Sequence, residues 1–154
     1  SGNSLLLEKL IEHFKQIDFS QKMDLQKNSL LPISTFSFES IDLTNHQFRT
    51  PAIQAKTILL IDGNCRGAIE RNLLRIKESK AASLVGCSTA GAAGASNMIK
   101  IIKRLDFIYT AYQIKAKNDT SFQGVGIQPD VEVFATPKGI HDGKDEVLES
   151  AIRL

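Results

Sequence analysis

The turn at residues 62–68 is the best place in this chain for a nucleophile, because it leads from an apolar run into the start of a helix. A helix N-terminus presents free backbone N–H groups and a partial positive charge, which stabilise a developing oxyanion. Cys65 is the reactive side chain of the turn, and Arg66 beside it would lower the pKa of the thiol. The bases that could serve it are the histidines of the chain, His13, His46 and His141, and none lies in a motif with Cys65. A buried, unreactive Cys65 is therefore favoured over a catalytic one.

A loop of small residues, 86–96, follows a predicted strand and suggests close approach of the backbone to another group. It lacks the Lys-Ser/Thr pair of a P-loop. It also lacks the further glycine and the following helix of a dinucleotide fingerprint. Glycine and alanine allow a backbone to approach either a ligand or a neighbouring turn. Both interpretations stay open, and no nucleotide is predicted.

A strand, a helix and a second strand must position these two loops. The β-branched and leucine run at 57–61 predicts a strand buried on both faces. Apolar residues at helical spacing over 68–77 predict a helix, and 82–85 predicts another buried strand. A strand, helix and strand with short connections form a right-handed unit whose two strands are parallel. The fold class that follows is α/β with a parallel sheet.

The remaining segments predict elements around this unit. An amphipathic helix begins near Leu5, with Asn3 or Ser4 as its cap. Residues 15–50 are interpreted as irregular, with a short strand near 35–38. Two β-rich stretches, 98–102 and 107–114, suit a hairpin, and acidic residues from Asp142 onward precede a closing helix.

The composition fits one ordinary globular domain and excludes several function classes. The chain has 154 residues, 42% of them hydrophobic, and 19 basic against 17 acidic residues give a net charge of +2. Because the charges are interleaved, nucleic acid is not an expected partner. No apolar run reaches the length of a membrane span, so we expect no membrane insertion. Cys65 and Cys87 form no metal-ligand spacing, and neither a metal nor a cofactor is predicted.

From Ile58 onward the sequence resembles the C-terminal processing, or tail-specific, serine peptidases, the family that includes the tricorn core. Residues 58–64, leading into 66–70, are similar to the family's Ser-Ala-x-Glu nucleophile turn. Residues 84–91 resemble its Val-Gly-x-x-Thr-x-Gly loop. Residues 123–133, Gln-Gly-Val-Gly-Ile-Gln-Pro-Asp-Val-Glu-Val, are the most specific match, and 143–148 closes the domain as in many members.

The resemblance implies a ClpP/crotonase-like fold, which is a mixed, largely parallel sheet with flanking helices and an added β-rich layer. It implies one domain over 1–154, equivalent to the C-terminal part of a peptidase core, in which 15–50 is a family-variable irregular segment. The implied partner is a polypeptide substrate or peptide ligand. Self-association is left open, and an extracytoplasmic or cell-envelope location is favoured.

The functional side chains of the family are replaced at two positions. With Glu70 aligned to the family's acid, Gly67 stands where the nucleophilic serine belongs, and glycine has no hydroxyl. Ala92 stands where the Ser-Lys subgroup carries its lysine. Members of the family have a Gly-Gly loop before the first helix, and residues 2–4 resemble its tail. The tricorn-like subgroup does without the lysine and takes a histidine from upstream of that loop, which would place it before Ser1.

Three other positions keep the family's roles by the same alignment. The backbone N–H of Ala68 would be one oxyanion donor, and that of Gly2 or its predecessor the second. Glu70 would be a positioning residue, and a solvated or capping acid is an equal alternative.

Three functions remain in view. The first is a serine peptidase core that is inactive as given because of Gly67, with natural loss favoured over an engineered change. The second is a non-catalytic peptide-binding pseudoenzyme that captures an extended peptide by strand addition. The third is a crotonase-like acyl-thioester enzyme, which no pair of acids in the turns supports.

Overall fold

The computed structural model describes residues 4–17, 23–27, 38–41, 47–94, 96–110, 112–114 and 122–154. Within these ranges the chain forms four helices and eight strands. In chain order they are α1 Ser4–Ile11, β1 Met23–Lys27, β2 Phe38–Ile41, β3 Ile58–Ile61, α2 Ala68–Ser79, β4 Ser83–Gly86, β5 Ser96–Ile102, β6 Leu105–Thr110, β7 Tyr112–Ile114, β8 Val131–Glu132, α3 Pro137–His141 and α4 Glu146–Ile152.

A three-stranded parallel sheet forms the centre, in the order β3-β4-β8. Strand β3 pairs with β4 from Ile58 opposite Ser83 to Ile61 opposite Gly86, and α2 connects the two strands. Val131 of β8 then pairs with Val85 on the far side of β4. The predicted strand-helix-strand unit is confirmed, and its carboxyl edge carries both of the loops that the sequence marks.

The two faces of this sheet are covered to different extents. Leu59, Ile61 and Leu84 belong to the main core, which also contains Ile11 of α1, Phe14 just after that helix, and Leu73 and Ile76 of α2. On the opposite face, α4 contacts β3 and β4, and Val85 is fully buried. Leu60 is 43% exposed, so the expectation that this strand is buried on both faces is wrong. α4 is only seven residues long and leaves part of this face open.

Antiparallel strands form two further sheets. Strands β5 and β6 pair with each other around a turn at Lys103 and Arg104, so the predicted hairpin is confirmed with a shorter loop. The end of its second stretch, 112–114, instead forms β7, which pairs with β1. Strand β1 pairs with β2 and β7. The interpretation of 15–50 as irregular is therefore wrong for β1 and β2, whose side chains alternate too weakly in hydrophobicity to identify them. The strand expected near 35–38 is found only from Phe38 onward, and its first three residues lie outside the described ranges.

The fold class is confirmed as mixed α/β, with a small parallel sheet, flanking helices and additional antiparallel strands. The closing helix is also confirmed as α4, where the Asp145 carboxylate accepts from the Leu148 N–H at 2.9 Å. Helix α3 was not predicted. Thr136 is its N-cap, and the Thr136 hydroxyl accepts a hydrogen bond from the Gly139 N–H. Of the helices described, none combines the length and apolarity needed to cross a bilayer.

Candidate functional site

Gly67 lies at a sharp turn between β3 and α2, with φ 68° and ψ −126°. A side chain at this φ is strained, so glycine suits the position. In the α/β-hydrolases, a strained turn from a strand into a helix presents the nucleophile. A Cβ placed on Gly67 would meet no atom of the described residues within 4 Å, so the turn is open on that side as far as the structure describes it. We call residues 64–68 the elbow.

Ala68 follows as the first residue of α2. The first N–H groups of a helix have no acceptor within the helix. Among the described residues, none accepts a hydrogen bond from the Ala68 N–H. This N–H therefore remains available beside Gly67, as an oxyanion donor requires.

Glu70 is completely buried beneath the elbow. Its Oε2 accepts from the Gly67 N–H at 3.0 Å and from the Ala92 N–H at 2.9 Å. Its Oε1 accepts from the Gly91 N–H and from the Thr89 hydroxyl, both at 2.6 Å. The carboxylate caps α2 and also holds the neighbouring loop, so the alternative of a solvated acid is excluded by its burial.

The small-residue loop packs against the turn at 122–128. The Gly124 N–H donates to the Gly91 carbonyl at 2.8 Å, and the Ile127 N–H donates to the Thr89 hydroxyl at 2.8 Å. A Cβ on Gly126 would lie 2.1 Å from the Thr89 carbonyl oxygen. Of the two interpretations left open, close packing against a neighbouring turn is the one that the structure supports.

Asp130 attaches the end of this turn to the central sheet. Its Oδ2 accepts from the Leu84 N–H at 2.8 Å, and its own N–H donates to the Leu84 carbonyl at 2.7 Å. Lys77 of α2 forms an ion pair with Asp130 at 3.7 Å and donates to the Gln128 carbonyl. The sequence match contained Asp130 and Thr89 without assigning either a role, and their spacing from Glu70 along the chain offered no signal of contact.

Cys65 does not have the environment of a nucleophile. Burial raises the pKa of the Cys65 thiol, and the nearby charge of Asp62 raises it further. The thiol donates to Asp62 Oδ1 at 3.7 Å. The hydrogen bond from the Asn64 side chain is the main cause that lowers the pKa of Asp62, so this acid stays ionised beside the thiol. The expectation that Arg66 lowers the thiol pKa is not met.

The structure brings four of the five predicted site residues together. Gly67, Ala68, Glu70 and Ala92 meet around the Glu70 carboxylate. Ala92 is exposed. Gly2 lies outside the described residues, as does His46. Within the described ranges, no group of three or more His, Cys, Asp or Glu side chains is placed to hold a metal ion.

Several solved structures share this fold, and among them are proteins described as peptidases or proteases. A structure described as a peptidase from Parabacteroides merdae has a TM-score of 0.72 at 17% identity and covers 98% of this chain and 47% of its own. Mature CPAF complexed with lactacystin has a TM-score of 0.65 at 19% identity, over 75% of this chain and 24% of its own. The tricorn protease has a TM-score of 0.51 at 14% identity, over 83% of this chain and 12% of its own. These likenesses show a shared fold. This chain spans about half the length of the first structure and a quarter or less of the length of the other two.

The two sequence comparisons differ in what they find. No curated protein matches the chain in sequence. The model of peptidase family S41 matches residues 5–133, which include the elbow, Glu70, the loop at 89–92 and the turn at 122–128. The chain therefore belongs to peptidase family S41.

Proposed function

We propose that this chain binds polypeptide at the elbow and does not cleave it, because Gly67 stands at the position of the family's serine nucleophile. The observation that carries the proposal is the pairing of Gly67 with an intact elbow. The backbone turn, the available Ala68 N–H and the buried Glu70 carboxylate are all present around a residue that has no side chain.

The geometry around Gly67 supports this assignment in preference to Cys65. An acyl-enzyme needs a nucleophile beside an oxyanion donor. Gly67 directly precedes Ala68, and a Cβ on it would meet none of the described residues, whereas the Cys65 thiol is partly buried and its pKa is raised. A peptide carbonyl bound at the elbow would accept from the Ala68 N–H without being attacked by the chain. The polypeptide class of the ligand follows from the family, and its sequence is not part of the proposal.

Restoring the hydroxyl tests the assignment of Gly67. We expect Gly67→Ser, in a chain that also carries Ala92→Lys, to react with a serine-directed fluorophosphonate, because the new hydroxyl lies beside the oxyanion donor and the exposed Ala92 leaves room for the lysine. Labelling is measured by intact mass spectrometry. Gly67→Ala with Ala92→Lys is the matched control, since it carries the same backbone strain and no hydroxyl.

Binding is tested separately on the unaltered chain. We expect fluorescein-labelled β-casein, an unfolded polypeptide, to bind without hydrolysis, as followed by fluorescence anisotropy and by gel electrophoresis. Hydrolysis by the unaltered chain, or fluorophosphonate labelling of it, would contradict the proposal. Absence of β-casein binding would contradict it as well.

A further inference from the structure

The buried hydroxyl of Thr89 links Glu70, which lies beneath the elbow, to the turn at 122–128. Thr89 is 5% exposed. Its hydroxyl donates to Glu70 Oε1 at 2.6 Å and accepts from the Ile127 N–H at 2.8 Å. Because the Ile127 N–H can only donate, the Thr89 proton is directed to Glu70. The hydroxyl therefore has one defined orientation.

This orientation bears on the elbow through Glu70. The Glu70 carboxylate, which accepts a hydrogen bond from the Thr89 hydroxyl, also accepts one from the N–H of Gly67. Gly67 directly precedes Ala68, whose N–H is the available donor. The two oxygens belong to one rigid planar group, so the hydrogen bonds that Thr89 and Gly91 donate to Oε1 restrict where Oε2 can lie. The direction of the elbow amides thus depends on a hydroxyl that belongs to a different loop.

We propose that Thr89 is a positioning residue of the elbow, through which the turn at 122–128 sets the orientation of Glu70 and of the backbone amides at Gly67 and Ala68. Thr89 does not touch the bound polypeptide and acts on it through Glu70. The proposal rests on the proposed function for its effect on binding, and on the hydrogen bonds alone for its effect on the elbow.

The test compares three variants of the full chain. Thr89→Val keeps the shape and removes the hydroxyl, Thr89→Ser keeps the hydroxyl, and Ser88→Ala removes a neighbouring hydroxyl that donates to Gln128 Oε1. We expect Thr89→Val to weaken the binding of fluorescein-labelled β-casein by about tenfold, the size of one good hydrogen bond. Thr89→Ser and Ser88→Ala should each stay within about twofold of the parent.

Hydrogen exchange provides a second measurement that does not depend on the ligand. In Thr89→Val, the amides of Gly67, Gly91 and Ala92, which donate to Glu70, should exchange faster, while those of Leu84 and Val85 in β4 should exchange as in the parent. Thr89→Ser should restore slow exchange at the three Glu70 amides.

The outcomes separate the two proposals. If the parent does not bind β-casein, the proposed function fails, and the exchange data alone decide whether Thr89 orders the elbow. If the parent binds and Thr89→Val binds equally well, or if its three Glu70 amides exchange as in the parent, the positioning role is overturned. Should circular dichroism show Thr89→Val unfolded, Thr89→Ser decides, because weakened binding in that folded variant would contradict a role for the hydroxyl.

Discussion

At the scale of single residues, the burial of the Glu70 carboxylate needs an explanation. Removing a carboxylate from water costs several kcal/mol unless its oxygens accept hydrogen bonds. Glu70 receives three backbone N–H groups and one hydroxyl. These bonds offset the desolvation and tie the elbow to the loop at 89–92. The same acid thus serves the fold and the candidate site.

The sequence predicted where Glu70 lies along α2 and not what surrounds it. An acid in the first turn of a helix is typical of a cap, and most such acids are solvated. Burial of Glu70 depends on the amides of Gly91 and Ala92, which lie more than twenty residues away and carry no side-chain signature. Proximity of this kind arises from the parallel pairing of β3 and β4 and is not visible in local periodicity.

A first prediction concerns Cys65 and Asp62. We expect Asp62→Asn to lower the pKa of the Cys65 thiol, because the charge of Asp62 and its hydrogen bond with the thiol both raise that pKa. In a Cys87→Ser background, the rate of reaction with iodoacetamide against pH, followed by mass spectrometry, measures the shift. Glu149→Gln, which alters an exposed acid paired with Arg153, is the control. An unchanged rate profile would contradict the assignment.

The direction in which the pKa of the Cys65 thiol shifts also determines how this group affects stability as the pH changes. Because the folded chain holds the thiol pKa above its ordinary value of 9.0, folding favours the protonated thiol. This contribution is complete below the unfolded pKa and is lost as pH rises through the folded pKa. Asp62 acts in the opposite range. Its pKa is lowered from 3.8, so its contribution is present above that value and is lost as pH falls through the folded pKa.

At the scale of elements, the residue pattern predicted the strand-helix-strand unit at the centre better than it predicted the elements that pack around that unit. The β-branched run at 57–61 and the helical spacing that follows determine β3 and α2 locally, and both were found. The exposure of Leu60 depends on how much of the sheet α4 covers, which strand composition does not indicate. Strands β1 and β2 were missed because their sequences, Met-Asp-Leu-Gln-Lys and Phe-Glu-Ser-Ile, are short and largely polar.

The contact between the loop and the 122–128 turn can be tested with two glycines of that turn. Both have positive φ, 80° at Gly124 and 84° at Gly126, but only Gly126 lies against the Thr89 carbonyl. We expect Gly124→Ala to lower the free energy of unfolding by about 1 kcal/mol, the cost of strain. Gly126→Ala should cost about 3 kcal/mol or more, since its Cβ would also displace backbone. Urea denaturation measures both, and equal losses would show that the two elements are not in close contact.

At the scale of the whole molecule, stability is expected to be uneven. The centre combines fully buried Leu84 and Val85 with the Glu70 hydrogen bonds. The β5–β6 hairpin pairs only with itself among the described strands, and four of its large apolar side chains are exposed, namely Ile102, Leu105, Phe107 and Ile108. An isolated two-stranded hairpin is only marginally stable by itself. The hairpin should therefore open without unfolding of the central sheet.

Native-state hydrogen exchange checks this difference and its cause. We expect amides within β5 and β6 to exchange at least about tenfold faster than those of Leu84 and Val85. Glu70→Gln replaces an acceptor of four hydrogen bonds by an amide whose nitrogen faces donors, so it should lower protection in β4 by several kcal/mol. The same substitution should leave exchange in β5 and β6 unchanged, because their protection does not depend on the centre. A parallel loss of protection in the hairpin would instead show that the two sheets unfold as one unit.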